Sequence, residues 1–224
     1  MNQMQALGTE LFRSLSRDKQ EKVLNAAVEE FAVHGYRNAS MNTVVKAAGI
    51  SKGSLFQYFN TKRGLFDGVV ELAEARVKRY LKHVREQTTE MSFFERLERL
   101  LRAGFAFIDE HPLLARIYFH LLQSGESPDG SHRVTKLRRR GEAFLAGLIQ
   151  EAVNRGELRE SVEVARVAFL INALFETLLR SYYTDFLGSD LGLYKGNADE
   201  LDQWVKTTLD LICTGIEQEE DAAR

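Results

Sequence analysis

Two prolines in 224 residues, Pro112 and Pro128, constrain this chain more than any other feature. Average usage of ~5% would place about 11. Proline breaks a helix interior by removing an amide donor and clashing with the preceding turn, so a chain nearly free of it can run in long helices. Few Thr/Val-rich alternating runs compete for strand. Apolar residues recur instead at helical spacing, as at Val23, Leu24, Ala27, Val28 and Phe31. The expected fold class is all-α, with about nine helices and no repeat of the kind that builds a solenoid.

Punctuation sets the expected boundaries. Residues 1–15, with Leu7, Leu11 and Leu15 four apart, are either a short helix or a mobile arm. Ser16 caps the first main helix, with Asp18 favourable to its dipole and Gly35 as its stop. Short helices follow over Met41–Ala48 and Lys52–Phe59, separated at Gly49. Thr61 caps a long helix towards Arg85. Further helices are expected over Phe93–Ile108, Pro112–Leu122, Arg133–Asn154, Val162–Phe186 and Asp199–Ile216. Loops cover 123–131 and 187–197, and an acidic tail follows Ile216.

Net charge is −2, yet residues 1–64 hold nine basic and five acidic side chains, net +4, and the remainder is net −6. Such asymmetry suits a basic end that meets a polyanion, although chance clustering on a solvated surface gives the same count. The single cysteine, Cys213, excludes an intramolecular disulfide, a paired-cysteine zinc site and an iron–sulfur cluster within one chain. No basic-then-apolar leader opens the sequence. The longest apolar stretch, Val167–Leu179, is interrupted by Asn172 and Glu176. Neither a signal peptide nor a membrane span is expected, which points to the cytoplasm.

Residues 40–59 read as a helix-turn-helix. Glycine tolerates the left-handed backbone that a tight turn needs, and Gly49 stands at the break. Val44, Ala47 and Ala48 would share a small core with Leu55 and Phe59. That leaves Lys52, Gly53, Ser54, Gln57 and Tyr58 on the open face, a set of donors, acceptors and a cation suited to a major groove. Ser40 and Ser51 cap helix starts whose free N–H groups can bind phosphate. Lys62 lies near a positive dipole end, a poor choice for helix stability, so an external anion would explain it.

Gly35-Tyr36, Ala39-Ser40, Ala48-Gly49-Ile50-Ser51, Gly53-Ser54-Leu55-Phe56, Tyr58-Phe59 and Lys62 together resemble the N-terminal signature of the tetracycline-repressor (TetR) family of bacterial regulators. The match covers about residues 17–68. The resemblance implies an all-α homodimer, with a DNA-binding domain at 1–64 and an effector-binding and dimerisation domain at 65–224. Carried over by position, Lys52, Gly53, Ser54 and Gln57 would face base edges and neighbouring phosphates, while Ser40, Tyr58 and Lys62 would clamp phosphates. Two residues depart from the pattern. Phe56 stands where many members have tyrosine, which leaves only apolar contact, for instance to a thymine methyl. Val45 replaces a usual alanine inside the first helix of the motif.

Beyond the motif, Phe93, Phe94, Leu97, Leu101, Phe105 and Ile108 form one helical stripe, and Leu114, Ile117, Tyr118 and Leu121 the next. Such stripes are usually packed core. The resemblance adds an effector pocket, for which Phe105, Tyr118, Phe144, Asn172, Phe175 and Glu176 are the candidates. A polar residue on an apolar helix needs a partner, and a ligand could be one. The effector expected is small and apolar or amphipathic.

The helix around Val164–Leu178 is apolar nearly all round. On the last helix Leu201, Val205, Leu209, Ile212 and Ile216 form one stripe, and Trp204, Thr208, Leu211 and Gly215 a second. Two apolar faces on each suggest a homodimer through an intersubunit four-helix bundle.

Enzyme chemistry finds little footing. His34, His83, His111, His120 and His132 lack ligand spacing with carboxylates, and no nucleophile or nucleotide motif accompanies them. No cofactor or metal is expected. Glu29-Glu30 and Glu219-Glu220 read as solvated carboxylates. Arg138-Arg139-Arg140 reads as a solvated helix face, with a phosphate-bearing effector as the lesser alternative. The sequence thus points to a ligand-responsive DNA-binding regulator, a repressor rather than an activator, with double-stranded operator DNA as partner and no membrane. A carrier of the same fold that has lost operator binding is the alternative, disfavoured by the open polar face.

Overall fold

The computed structural model describes residues 7–124, 131–185, 187 and 189–216. Among these the secondary structure is helical: α1 (Glu10–Arg13), α2 (Arg17–Asn38), α3 (Met41–Ala48), α4 (Lys52–Phe59), α5 (Lys62–Gln87), α6 (Phe93–Glu110), α7 (Pro112–Ser124), α8 (Ser131–Asn154), α9 (Val164–Tyr183) and α10 (Ala198–Ile216). A 3-10 turn at Ser189–Leu191 falls in the expected loop before α10. The all-helical expectation holds. The tenth helix is α1, four residues inside the segment left open as helix or arm. The expected end of α9 at Phe186 lies outside the described residues, as does the acidic tail.

Two compact units divide the chain: residues 1–79 with 111–134, and residues 80–110 with 135–224. The functional division expected after residue 64 falls within α5.

In the first unit, α2 packs on α3 and α7, α3 on α4, and α1 on α4. Val23, Leu24, Ala27 and Phe31 supply the buried face of α2. Phe31 and Tyr36 both approach Phe66, with ring centroids 5.1 Å apart in each pair. Gly35 has non-helical angles (φ 67°, ψ 179°) and breaks α2 where a stop was expected. Ser16 does not act as a side-chain cap. Instead the buried Gln20 side chain donates to the Arg13 and Leu15 carbonyls at 3.1 and 3.0 Å, closing the turn ahead of α2 from within.

In the second unit, α6 packs on α9 and α10. Phe93, Leu97, Leu101, Phe105 and Ile108 are buried, as core stripes should be. Gly104 lets α9 come close: a Cβ there would lie 2.7 Å from the Leu179 side chain. Arg96 is buried and pairs with Glu151 at 3.0 Å. Thr208, expected on the outer stripe of α10, is buried instead, with its hydroxyl donating to the Trp204 carbonyl at 2.7 Å. That bond satisfies the hydroxyl internally and lets a small side chain face inward. Leu211 is left 69% exposed, and Phe169 and Leu170 of α9 are 53% and 62% exposed.

Candidate nucleic-acid interface

Two eight-residue helices have few internal hydrogen bonds, so their ends decide whether they hold. Ser40 Oγ accepts the Thr43 N–H at 3.4 Å and caps α3. The Ser40 N–H itself donates to Glu30 Oε1 at 2.6 Å. Glu30 is buried, which corrects its reading as a solvated charge: a carboxylate inside needs a donor, and the start of α3 provides one.

Gly49 closes α3 with a left-handed backbone (φ 67°, ψ 36°), a conformation that costs a side chain energy. The next N–H, of Ile50, reaches back to the Val45 carbonyl at 3.1 Å. Ser51 then caps α4, accepting the Ser54 N–H at 3.0 Å, with the two serine hydroxyls 2.8 Å apart. The helix-turn-helix has the expected boundaries on both sides. Its core differs from that expected: Ala47 is exposed, Ala48 is half-buried, and Met41 joins Val44, Leu55 and Phe59 inside.

On α4, Lys52, Gly53 and Gln57 are exposed, and Ser54, Phe56 and Tyr58 are half-buried. The set expected to face DNA therefore lies outward or at the edge of the core. Neither α3, α4 nor α5 carries an acidic residue in its first turn, so their N-terminal partial charges stay open to an anion. Thr61 caps α5 as expected, accepting the Gly64 N–H at 2.9 Å.

Lys62 has a partner inside the protein. Its Nζ donates to the Arg37 carbonyl at 3.0 Å and stands 5.3 Å from the centre of the Tyr36 ring. The cation thus stabilises the C-terminal end of α2, where a positive charge is favourable. An external anion is not needed to account for it.

Two further features of this unit escaped sequence reasoning. Phe12, not the leucine series, anchors α1: it is wholly buried, 4.6 Å from the Phe59 ring centre, whereas Leu11 is 47% exposed. Thr9 hydrogen-bonds to α4, 48 residues away. Phe12, the one aromatic in the first 30 residues, was the available signal for the first, while nothing local announced the second.

In the second unit, Phe105 and Phe175 are buried and Phe144, Asn172 and Glu176 half-buried. Asn172 stands against Gly141, where a Cβ would lie 2.8 Å from its Oδ1. Glu176 Oε1 is 3.3 Å from an Arg138 guanidinium nitrogen. Burial pushes the Glu176 carboxyl above its ordinary pKa, and the charges of Arg138 and Arg180 offset this only in part. Arg138, Arg139 and Arg140 are exposed, in keeping with a solvated face. Tyr118 belongs to α7 in the first unit, its ring edge-on to Phe119 at 5.7 Å.

Sequence reasoning missed Tyr182. It is buried, edge-on to Phe105 at 5.1 Å, and its hydroxyl donates to the Asp109 carboxylate, 2.8 Å from either oxygen. Burial first, then the bond to Asp109, pushes its pKa up to about 12.

Among the described residues no group of His, Cys, Asp and Glu could hold a metal ion, and no helix is long and apolar enough to cross a membrane.

Comparison with known proteins assigns the chain along most of its length. Residues 23–69 match the family described as bacterial regulatory proteins, tetR family, and residues 90–180 match the tetracyclin repressor-like C-terminal domain. An uncharacterized HTH-type transcriptional regulator of Bacillus subtilis (strain 168), YhgD, is 24% identical over 165 residues, 74% of this chain and 84% of that protein. A TetR-family regulator from Chloroflexus aurantiacus J-10-FL superposes with a TM-score of 0.74 at 23% identity, over 96% of this chain and 100% of that one. The FadR regulator of Bacillus subtilis, solved in complex with stearoyl-CoA, superposes with a TM-score of 0.68 at 19% identity, over 88% and 98%. Those matches fall on the segments that form the helix-turn-helix and the helices after it: the chain belongs to the TetR family and is a DNA-binding transcriptional regulator, not an enzyme.

Proposed function

We propose that this regulator is a homodimeric, cytoplasmic repressor that leaves a palindromic operator when a small effector binds. Residues 1–64 carry the DNA contacts and residues 65–224 the effector site and dimer interface. The observation that carries the reading is the outward face of α4, where Lys52, Gly53 and Gln57 are exposed beside helix starts that hold no acid. Lys52, Gly53, Ser54 and Gln57 meet base edges and nearby phosphates, and Phe56 offers an apolar contact. Ser40, Tyr58 and Lys62 face the backbone. The ammonium of Lys62 has three donors, so its bond to Arg37 leaves others for a phosphate.

Dimerisation uses α9 and α10, whose exposed Phe169, Leu170 and Leu211 form apolar surface that water does not favour. Two-fold symmetry then presents two copies of α4 to two half-sites. The effector meets Phe105, Phe144, Asn172, Phe175 and Glu176. An apolar or amphipathic molecule suits three aromatic rings with one amide and one carboxyl. The stearoyl-CoA bound by the Bacillus subtilis regulator supports the amphipathic class. Release from DNA requires that the effector bind the weak-binding state more tightly.

Selection from a random duplex library tests this reading. The expected product is a twofold-symmetric motif. Gln57→Ala should relax preference within each half by ~1–3 kcal/mol and leave binding to unselected duplex nearly unchanged. A motif without symmetry would sink the dimer reading. Equal loss on selected and unselected DNA would move Gln57 to the backbone. Stearoyl-CoA and stearate, titrated into the protein–DNA complex, serve as the first effector probes.

A further inference from the structure

The last four carbonyls of a helix have no partner within it, and in a helix of two turns they are half of the total. In α4 these are the carbonyls of Phe56, Gln57, Tyr58 and Phe59. The chain that follows supplies two donors, with Asn60 N–H to Phe56 at 2.7 Å and Thr61 N–H to Phe59 at 2.6 Å. The other two are satisfied by one residue from the far side of α2. Thr9 N–H donates to the Tyr58 carbonyl at 2.9 Å, and Thr9 Oγ1 donates to the Gln57 carbonyl, also at 2.9 Å.

Packing fixes the same contact. Phe12 lies wholly buried, 4.6 Å from the Phe59 ring and 5.8 Å from the Tyr58 ring. Leu7 is buried as well. Gly8 has φ +66°, and a Cβ there would stand 2.9 Å from the Tyr58 carbonyl oxygen, so the close approach depends on glycine. Thr9 Oγ1 also lies 3.4 Å from the Phe12 N–H, within reach as its acceptor, and so caps α1 while gripping α4.

We propose that residues 7–13 are a brace that sets the orientation of α4 on DNA, with Thr9 as a positioning residue and Phe12 as its anchor. This rests on the reading of α4 as the helix that enters the groove. Gln57 joins the two roles, since its side chain is exposed towards the groove while its carbonyl is held by Thr9. Base readout depends on placing a side chain within hydrogen-bond reach, whereas non-specific attraction to phosphate tolerates a tilt. Loss of the brace therefore costs specificity before it costs general affinity.

Thr9→Val removes the hydroxyl, both as donor to the Gln57 carbonyl and as acceptor for the Phe12 N–H, and keeps the shape and the backbone bond, while Thr9→Ser restores both roles. Amide hydrogen exchange of the DNA-free protein is the first measurement. Exchange in the last turn of α4 should quicken about fivefold in Thr9→Val, as loss of one net hydrogen bond implies, with α3 unchanged and Thr9→Ser close to wild type. The second measurement uses a duplex selected by the wild-type protein from a random library. Thr9→Val should bind it about three- to tenfold more weakly, with unchanged affinity for unselected duplex and an unchanged salt slope. Unaltered exchange in α4 would overturn the brace. Equal weakening on both duplexes, or a smaller salt slope, would also overturn it, since Thr9 would then act on general affinity or touch the DNA backbone itself. If the wild-type protein selects no duplex, the reading of α4 fails, and the exchange data still decide whether residues 7–13 hold that helix.

Discussion

The helix-turn-helix and the helices α6, α9 and α10 are built from the same secondary structure but kept rigid in opposite ways. Short helices α3 and α4 are held at their ends: Ser40 and Ser51 each cap an N-terminus, Gly49 closes α3, and the loop after Phe59 together with Thr9 satisfies the last carbonyls of α4. The long helices are held along their faces, by buried side chains and by polar pairs far apart in sequence, such as Arg102 with Asp202 and Tyr182 with Asp109. End-capping leaves the side chains of α4 available, so a polar face can remain outward. Face-packing uses up one side of α9 and α10, and among the polar residues left outside stand the apolar side chains of Phe169, Leu170 and Leu211. The first arrangement suits recognition of DNA, the second association with another apolar face.

Charge placed on exposed apolar positions of the two regions should separate them most strongly. Leu211→Asp puts a carboxylate in the proposed dimer interface twice per dimer, where desolvation costs several kcal/mol for each charge. The same change at Val33 of α2, itself 54% exposed, serves as the control. Sedimentation at micromolar concentration should find Leu211→Asp as a 25.5 kDa monomer and Val33→Asp still dimeric. Matching behaviour of the two variants would break the comparison. Phe12→Ala comes next in size. It empties a wholly buried aromatic site beside α4 and should cost ~3–5 kcal/mol in denaturant unfolding. A cost below about 1 kcal/mol would mean that the end of α4 does not need α1.

The same contrast governs how much of the molecule could be read beforehand. Caps and turns are local, so Ser40, Gly49, Ser51 and Thr61 were legible, and with them the bounds of α3 and α4. Helical stripes gave the inner face of α6 for the same reason. What failed were contacts whose partners lie elsewhere in the chain. Glu30 looks solvated beside Glu29 until the start of α3 comes to rest on it. Thr208 is the local exception: it looks like part of an outer stripe until its hydroxyl is seen bonded within its own helix. Tyr182 and Asp109 are 73 positions apart, and no spacing rule joins them. Of the proposed DNA-facing residues, Lys62 was legible as a cation at a helix start, but its acceptor at Arg37 was not.

Lys62 tests whether one residue can serve both kinds of order. Removing it deletes a charged hydrogen bond to the end of α2, at a half-exposed site, and Lys62→Ala should lose about 1 kcal/mol of stability. If its other donors meet a phosphate in each subunit, the slope of log affinity against log salt should also fall by about 2 per dimer. Lower stability with an unchanged slope would assign Lys62 wholly to the inside of the first unit.

The smallest effect belongs to Glu176, and its sign follows from burial. Its carboxyl is pushed above the ordinary value by desolvation, with Arg138 and Arg180 offsetting part of that. A carboxyl with a raised folded-state pKa binds its proton more tightly in the folded protein than in the unfolded chain. Between the ordinary carboxylate pKa and the raised one, the folded state therefore holds more protons, and stability falls as pH rises. Above the raised value the full penalty stands, and below the ordinary value it is gone. Glu176→Gln carries no charge to desolvate and keeps a polar group towards Arg138. At neutral pH it should be more stable than wild type by less than about 1 kcal/mol, with the difference vanishing under acid. Paired urea titrations at neutral pH and below pH ~4 measure it. A variant less stable than wild type at neutral pH would mean that the pairing with Arg138 outweighs desolvation. The second unit would then hold this carboxylate as firmly as the first holds its helix ends.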